Sequence, residues 1–219
     1  MQSILLFSAF TIIFLSCSTA ADCPEGINSL PMYGKVKKCK EQIELDSTFL
    51  KSCDVNFKHD RKEASKYYES RGWQFLYKNK TDTAMFRFNQ AWMLDSLNAS
   101  VYWGFANLTG MKGKLKESMP LFKRALQLDP SNAKIWTDAS NSYGQLFVQT
   151  QNKKLLDTAI QYLKTSVRLN PNNPAAYAQL TAGYTYFMQK DSAKKYLKIS
   201  DKLNPDAVNP HVRKLITGQ

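Results

Sequence analysis

One pattern recurs along this chain at a fixed distance, and it limits what the chain can fold into. An aromatic residue or leucine is followed three positions later by Ala or Ser and, five positions beyond that, usually by Pro. Phe88 and Ala91 lead to Ser96, Phe122 and Ala125 to Pro130, Leu163 and Ser166 to Pro171, and Leu197 and Ser200 to Pro205. The steps from Ala91 to Ala125 and from Ser166 to Ser200 are both 34 residues, while the middle step, Ala125 to Ser166, is 41. Self-similarity at such a period marks an array of small units, none of which can bury its own apolar face alone.

Upstream of each anchor the spacing predicts a first helix. Tyr68, Tyr102, Trp136 and Tyr177 share one position, and Gly72, Ala106, Ser140 and Thr181 follow four residues on. Phe75, Tyr143 and Tyr184 come three later, with Thr109 as the exception, and Ala84, Ser118, Ala159 and Ala193 open a second helix. Helices pack about 8–10 Å apart, and small side chains permit the closest crossings. The aromatics fill the volume between pairs, and the prolines stop each second helix. Asp82 and Asp191 are expected to cap second helices. In the unit with seven extra residues, Asn152 is the expected cap, with Asp157 inside the helix.

This pattern resembles the tetratricopeptide repeat (TPR), a helix–turn–helix unit with an aromatic, a small residue, a Tyr, two Ala positions and a Pro. The resemblance covers roughly residues 65–205. It implies an all-α solenoid with units at 65–98, 99–132, 133–173 (carrying the insertion) and 174–207. Residues 35–60 are expected to form an N-terminal helical extension. Residues 208–219 are expected to form a capping helix, with Asn209 as its cap, Pro210 at its first position, and Val212, Leu215 and Ile216 covering the last unit.

In this family the first helix of each unit lines a concave groove that holds a peptide. Carried over, the groove positions are Lys66, Trp73 and Tyr77 in the first unit, then Trp103, Asn107 and Met111. Lys134, Asn141 and Gln145 follow in the third, and Ala182 and Tyr186 in the fourth. The alternative for Trp73 and Trp103 is packing beneath the N-terminal helix. Glu69 and Trp103 stand where the family's carboxylate clamp places other residues, so the implied partner is an internal protein segment. Catalysis has no foothold. His59 and His211 are isolated, and no Ser-His-Asp set, HExxH, P-loop or GxGxxG occurs. No cofactor or metal is expected, and the function implied is a non-enzymatic scaffold.

Residues 4–17 form an uncharged apolar run too short to span a bilayer but matching a signal-peptide core. Residues 1–17 are therefore expected to be a signal peptide. Phe14-Leu15-Ser16-Cys17 resembles a bacterial lipobox, which would place a lipid on Cys17 and anchor the protein to a membrane. Cleavage near Ala20, giving a soluble exported protein, is the other processing reading. Either route points to the envelope of a Gram-negative bacterium, in the periplasm or at the outer membrane. The net charge of +12, from 30 Lys and Arg against 18 Asp and Glu, suits anionic envelope polymer or lipid. Export argues against nucleic acid. The Asp-Ser/Thr motifs at Asp46, Asp82, Asp95, Asp157 and Asp191 also resemble an O-glycosylation acceptor of exported bacterial proteins.

With Cys17 cleaved or acylated, Cys23, Cys39 and Cys53 remain, enough for at most one internal disulfide. A single helix through residues 35–57 would hold Cys39 and Cys53 about 21 Å apart and forbid their bond. A break near Asp46-Ser47 would allow it. The single helix is the expectation, leaving Cys53 to meet Cys23. Residues 18–34, with Pro24, Gly26, Pro31 and Gly34, read as a flexible tether.

Overall fold

The computed structural model describes residues 23–218, so Cys17 and the apolar leader lie outside them. Among the described residues there are ten α-helices and no strand. They are α1 (Lys40–Asn56), α2 (Arg61–Tyr77), α3 (Thr81–Leu94), α4 (Ala99–Met111), α5 (Leu115–Leu128), α6 (Ala133–Thr150), α7 (Lys153–Leu169), α8 (Pro174–Tyr186), α9 (Lys190–Leu203) and α10 (Pro210–Thr217). Helices α2 to α9 pack as four antiparallel pairs, α2 with α3 through α8 with α9, and each pair stacks on the next. The first helices α2, α4, α6 and α8 also touch one another in succession, whereas the second helices do not to a comparable degree. The array therefore closes on the side of the first helices, which form its inner face.

The small residues sit where the crossings are tightest. Ala84, Ala91, Ala106, Ala125 and Ala193 are wholly buried. Phe88, also wholly buried, shows why two positions are glycine. A methyl group added at Gly72 would lie 2.7 Å from the Phe88 ring, and one at Gly104 would lie 2.4 Å from it. The ring is sandwiched between successive first helices at a separation only glycine permits. Buried hydroxyls bind the same seams. Ser65 donates to the carbonyl of Ala91, Ser166 to that of Ala133, and Ser118 to the hydroxyl of Ser142. Each thereby avoids the penalty of an unpaired buried polar group.

Asparagine and aspartate begin the first helices. Asp60, Asn98, Asn132 and Asn173 accept hydrogen bonds from backbone amides at the starts of α2, α4, α6 and α8, and Asn209 does so for α10. The expectation for Asp82 and Asp191 is corrected. Helices α3 and α9 begin two residues earlier than such caps would place them, behind Lys80 and Gln189, with no side-chain cap. Both aspartates lie in the first turn, where they favour the positive helix end without capping it. Asn152 does cap α7, and Asp157 lies inside that helix. The insertion in the third pair lengthens its helices rather than its loop. Helices α6 and α7 have 18 and 17 residues, against 13 and 14 in the pairs on either side.

The segment read as a tether is packed instead. Residues 23–35 form two short 3-10 turns, Ile27–Ser29 and Pro31–Lys35, that lie across α3 as a strap. Ile27 and Tyr33 are buried. The Asn89 side chain, wholly buried on α3, accepts from the Tyr33 amide and donates to the carbonyls of Asn28 and Leu30. Gln42 on α1 donates to the carbonyl of Pro24. The disulfide joins Cys23 to Cys39, which overturns the pairing of Cys53 with Cys23. Helix α1 runs unbroken past Asp46, and Cys53 is a buried free thiol in a cluster with Ala64, Leu94 and Tyr68. Burial raises its pKa and keeps it unreactive. At the other end Val212 and Ile216 cover the last pair, while Leu215 is exposed, contrary to expectation.

Candidate binding face

The inner face is built from two adjoining zones. The first is aromatic. Trp73 on α2 and Trp103 on α4 meet with ring centroids 4.3 Å apart, and Tyr77 stacks on Trp73 at 6.0 Å. Trp73 also packs edge-on against Phe88, and it is Tyr68, not Trp73, that joins the cluster beneath α1. Polar bonds fix both indoles. Trp73 Nε1 donates to Ser100 Oγ, 2.9 Å away, and that hydroxyl donates to Glu69. Trp103 Nε1 donates to Asp138 Oδ2 at 2.8 Å, and Asn107 donates to the same oxygen. With their polar edges occupied, the tryptophans are held in place and Tyr77 stands 76% exposed beside them. Rigid, amphipathic aromatic surface of this kind is what anchors protein contacts.

Asp138 is the electrostatic feature of this zone. Burial pushes its carboxyl pKa above the ordinary value, against the opposing bonds from Trp103 and Asn107 and the charge of Lys134. The sequence reading does not single it out. It lies one helical turn beyond Lys134 and three residues before Asn141, so the periodicity that places those two on the face places Asp138 there as well.

The second zone is an apolar cavity of about 230 Å³ between α6, α7 and α8. Phe147, Leu156 and Ile160 line it, with Asn141, Gln145 and Tyr186 among the groups around it. The lengthened α6 supplies part of one wall, and Tyr186 meets the Phe147 ring edge-on at 6.0 Å. Gln179, which the sequence reading also misses, accepts a hydrogen bond from Ser140 at the edge of this zone. It falls on the same face of α8 as Ala182 and Tyr186.

The sequence-derived face residues thus divide. Trp73, Tyr77, Trp103 and Asn107 come together in the aromatic zone, and Asn141, Gln145, Ala182 and Tyr186 around the cavity. Lys66 and Lys134 are exposed on α2 and α6, and Met111 is exposed at the end of α4; none of the three lines the cavity. Among the described residues the one cluster with metal-ligand character is Cys23, Cys39 and Glu41, whose two sulfurs are bonded to each other.

No protein-family model and no curated protein matches the sequence. Solved structures do match the fold. YrrB, described as a TPR protein with an unusual peptide-binding site, is similar with a TM-score of 0.56 over 72% of this chain and 75% of its own, at 23% identity. TTC0263, a thermophilic TPR protein of Thermus thermophilus, gives 0.59 over 69% and 79%, at 20% identity. MamA gives 0.56 over 70% and 79%, at 17% identity. The described helices form a TPR-type α-solenoid.

Proposed function

We propose that this protein is a non-enzymatic scaffold that holds a segment of another protein against its inner face. The observation that carries this reading is the adjacency on one face of a fixed, partly exposed aromatic cluster and an open apolar cavity. An apolar side chain of the partner seats in the cavity, and its neighbours lie against Trp103, Trp73 and Tyr77. Glu69 and Asp138 make the aromatic half unfavourable for a terminal carboxylate, so the segment is internal. The peptide-binding site named for YrrB is consistent with the same use of this fold.

The setting we infer is the envelope of a Gram-negative bacterium, with Cys17 lipidated. The leader sequence motivates this, and the Cys23–Cys39 disulfide supports it, because disulfides persist in oxidising compartments. Labelling with a fatty-acid analogue, lost on Cys17→Ser, tests the anchor. Crosslinking in cells followed by affinity capture tests the groove. A partner recovered with the native chain should be lost with Tyr77→Ala combined with Trp103→Ala, and undiminished recovery would reject the groove.

A further inference from the structure

A second cleft lies away from the inner face, where the strap runs past α3, α4 and α5. It has a volume of about 730 Å³, inside the range of roughly 300–1,000 Å³ usual for ligand sites. Its walls are apolar: Leu30 and Met32 from the strap, Met85 from α3, Tyr102 from α4, and Leu121 from α5. Methionines adapt their shape to what they contact, which suits a chain of variable length.

Its charged residues are mostly of one sign. Lys35, Lys112, Lys114 and Arg124 line the cleft, with Glu117 as the single acid. Lys112 is paired with Asp82 and Lys114 with Glu117. Lys35 and Arg124 take part in no ion pair among the described residues. The start of α5 lies at the same place, its N-cap Lys114 supplying no side-chain hydrogen bond, so the positive helix end adds to the field. An apolar trough with uncompensated cations attracts a molecule that has an apolar body and an anionic end.

The neutral polar groups indicate what that body is. Ser29 and Thr109 supply the aliphatic hydroxyls of the lining; the Thr109 hydroxyl already donates to the carbonyl of Phe105, and the Ser29 carbonyl accepts from Lys112 Nζ. A peptide laid there would leave backbone amides without partners, a cost an acyl chain does not incur. We propose that this cleft binds a single-chain amphiphile of the fatty-acid type, its chain along Met32, Met85 and Leu121 and its anionic head at Lys35 and Arg124. One wall is the strap, held by Asn89 and the Cys23–Cys39 bond, so the site depends on that disulfide.

The test is calorimetric titration of the full chain with laurate below its micelle concentration. Dodecyltrimethylammonium serves as the same chain with the opposite head, and hexaglutamate as charge without a chain. Saturable binding of one laurate per protein is expected. It should weaken at least tenfold with Lys35→Glu combined with Arg124→Glu, weaken again in Cys23→Ser with Cys39→Ser, and stay unchanged with Gln161→Ala. Should circular dichroism show that the charge reversal costs helix, Lys35→Gln with Arg124→Gln gives the same reading. Equal binding of the cationic detergent or of hexaglutamate, absence of saturable binding, or laurate affinity that survives the charge variants would overturn the proposal.

Discussion

At the residue scale, the close contacts around Phe88 account for the smallest residues in the repeat. Gly104→Ala would gain the usual helix-propensity advantage of roughly 0.5–1 kcal/mol, but the added methyl collides with a ring that has Gly72 on its other side. Overpacking typically costs about 1–3 kcal/mol, so the substitution should lower stability in urea denaturation. Asp138 works in the opposite sense. Its folded-state pKa is raised by burial, so its contribution to stability is fullest below the ordinary carboxylate value of 3.8 and is lost as pH rises through the shifted value. Asp138→Asn keeps an acceptor for Trp103 and Asn107 and cannot ionise. Its denaturation midpoint should gain on the native chain as pH rises from the ordinary carboxylate value through the shifted one. Asp138→Leu, which leaves the Trp103 indole unpaired, should cost about 1–3 kcal/mol. That Asp138 and Gln179 escape the sequence reading has a physical cause. Helical period places a residue on a face, but not the partners that turn a surface carboxylate into a half-buried acceptor.

Helices show a sharper division between what is legible in the sequence and what is not. The phase of the array can be read because each crossing demands a small side chain at a fixed interval, and Ala91, Ala125 and Ala193 are buried as that demand requires. Capping is misread at Asp82 and Asp191 because an acid in the first turn of a helix and an acid at its cap look alike in sequence. The strap is misread for a different reason. Gly, Pro and a lack of periodicity signal irregular backbone, yet irregular backbone can be immobilised by a distant buried side chain, here Asn89. The disulfide closes a loop of 16 residues, and a bridge across a loop of that order is worth about 3 kcal/mol. Reduction should therefore strip hydrogen-exchange protection from the Tyr33 amide while leaving α4 to α9 protected. Within the pairs, the turn between helices repeats a left-handed position at Asn79, Gly113 and Met188. Met188 is the residue least suited to it and is exposed. Met188→Gly should raise stability by about 1 kcal/mol, measurable as a shift in thermal midpoint.

At the scale of the whole molecule, the proposed groove and the proposed amphiphile cleft occupy different places in the array. The first helices converge and present fixed aromatics and a cavity. The strap, α3, α4 and α5 together line the cleft that holds Lys35 and Arg124. The lengthened third pair links fold to function, since its extra residues enlarge one wall of the inner cavity. The account rests on that inner face being the one a partner protein meets. Site-specific photo-crosslinking in cells tests this most directly, with a photoreactive residue placed in turn at Tyr77, at Tyr186 and at the exposed Gln161 on the second helix α7. The account predicts one protein captured from Tyr77 and Tyr186 and not from Gln161. Capture from Gln161 alone, or equally from all three, would contradict it.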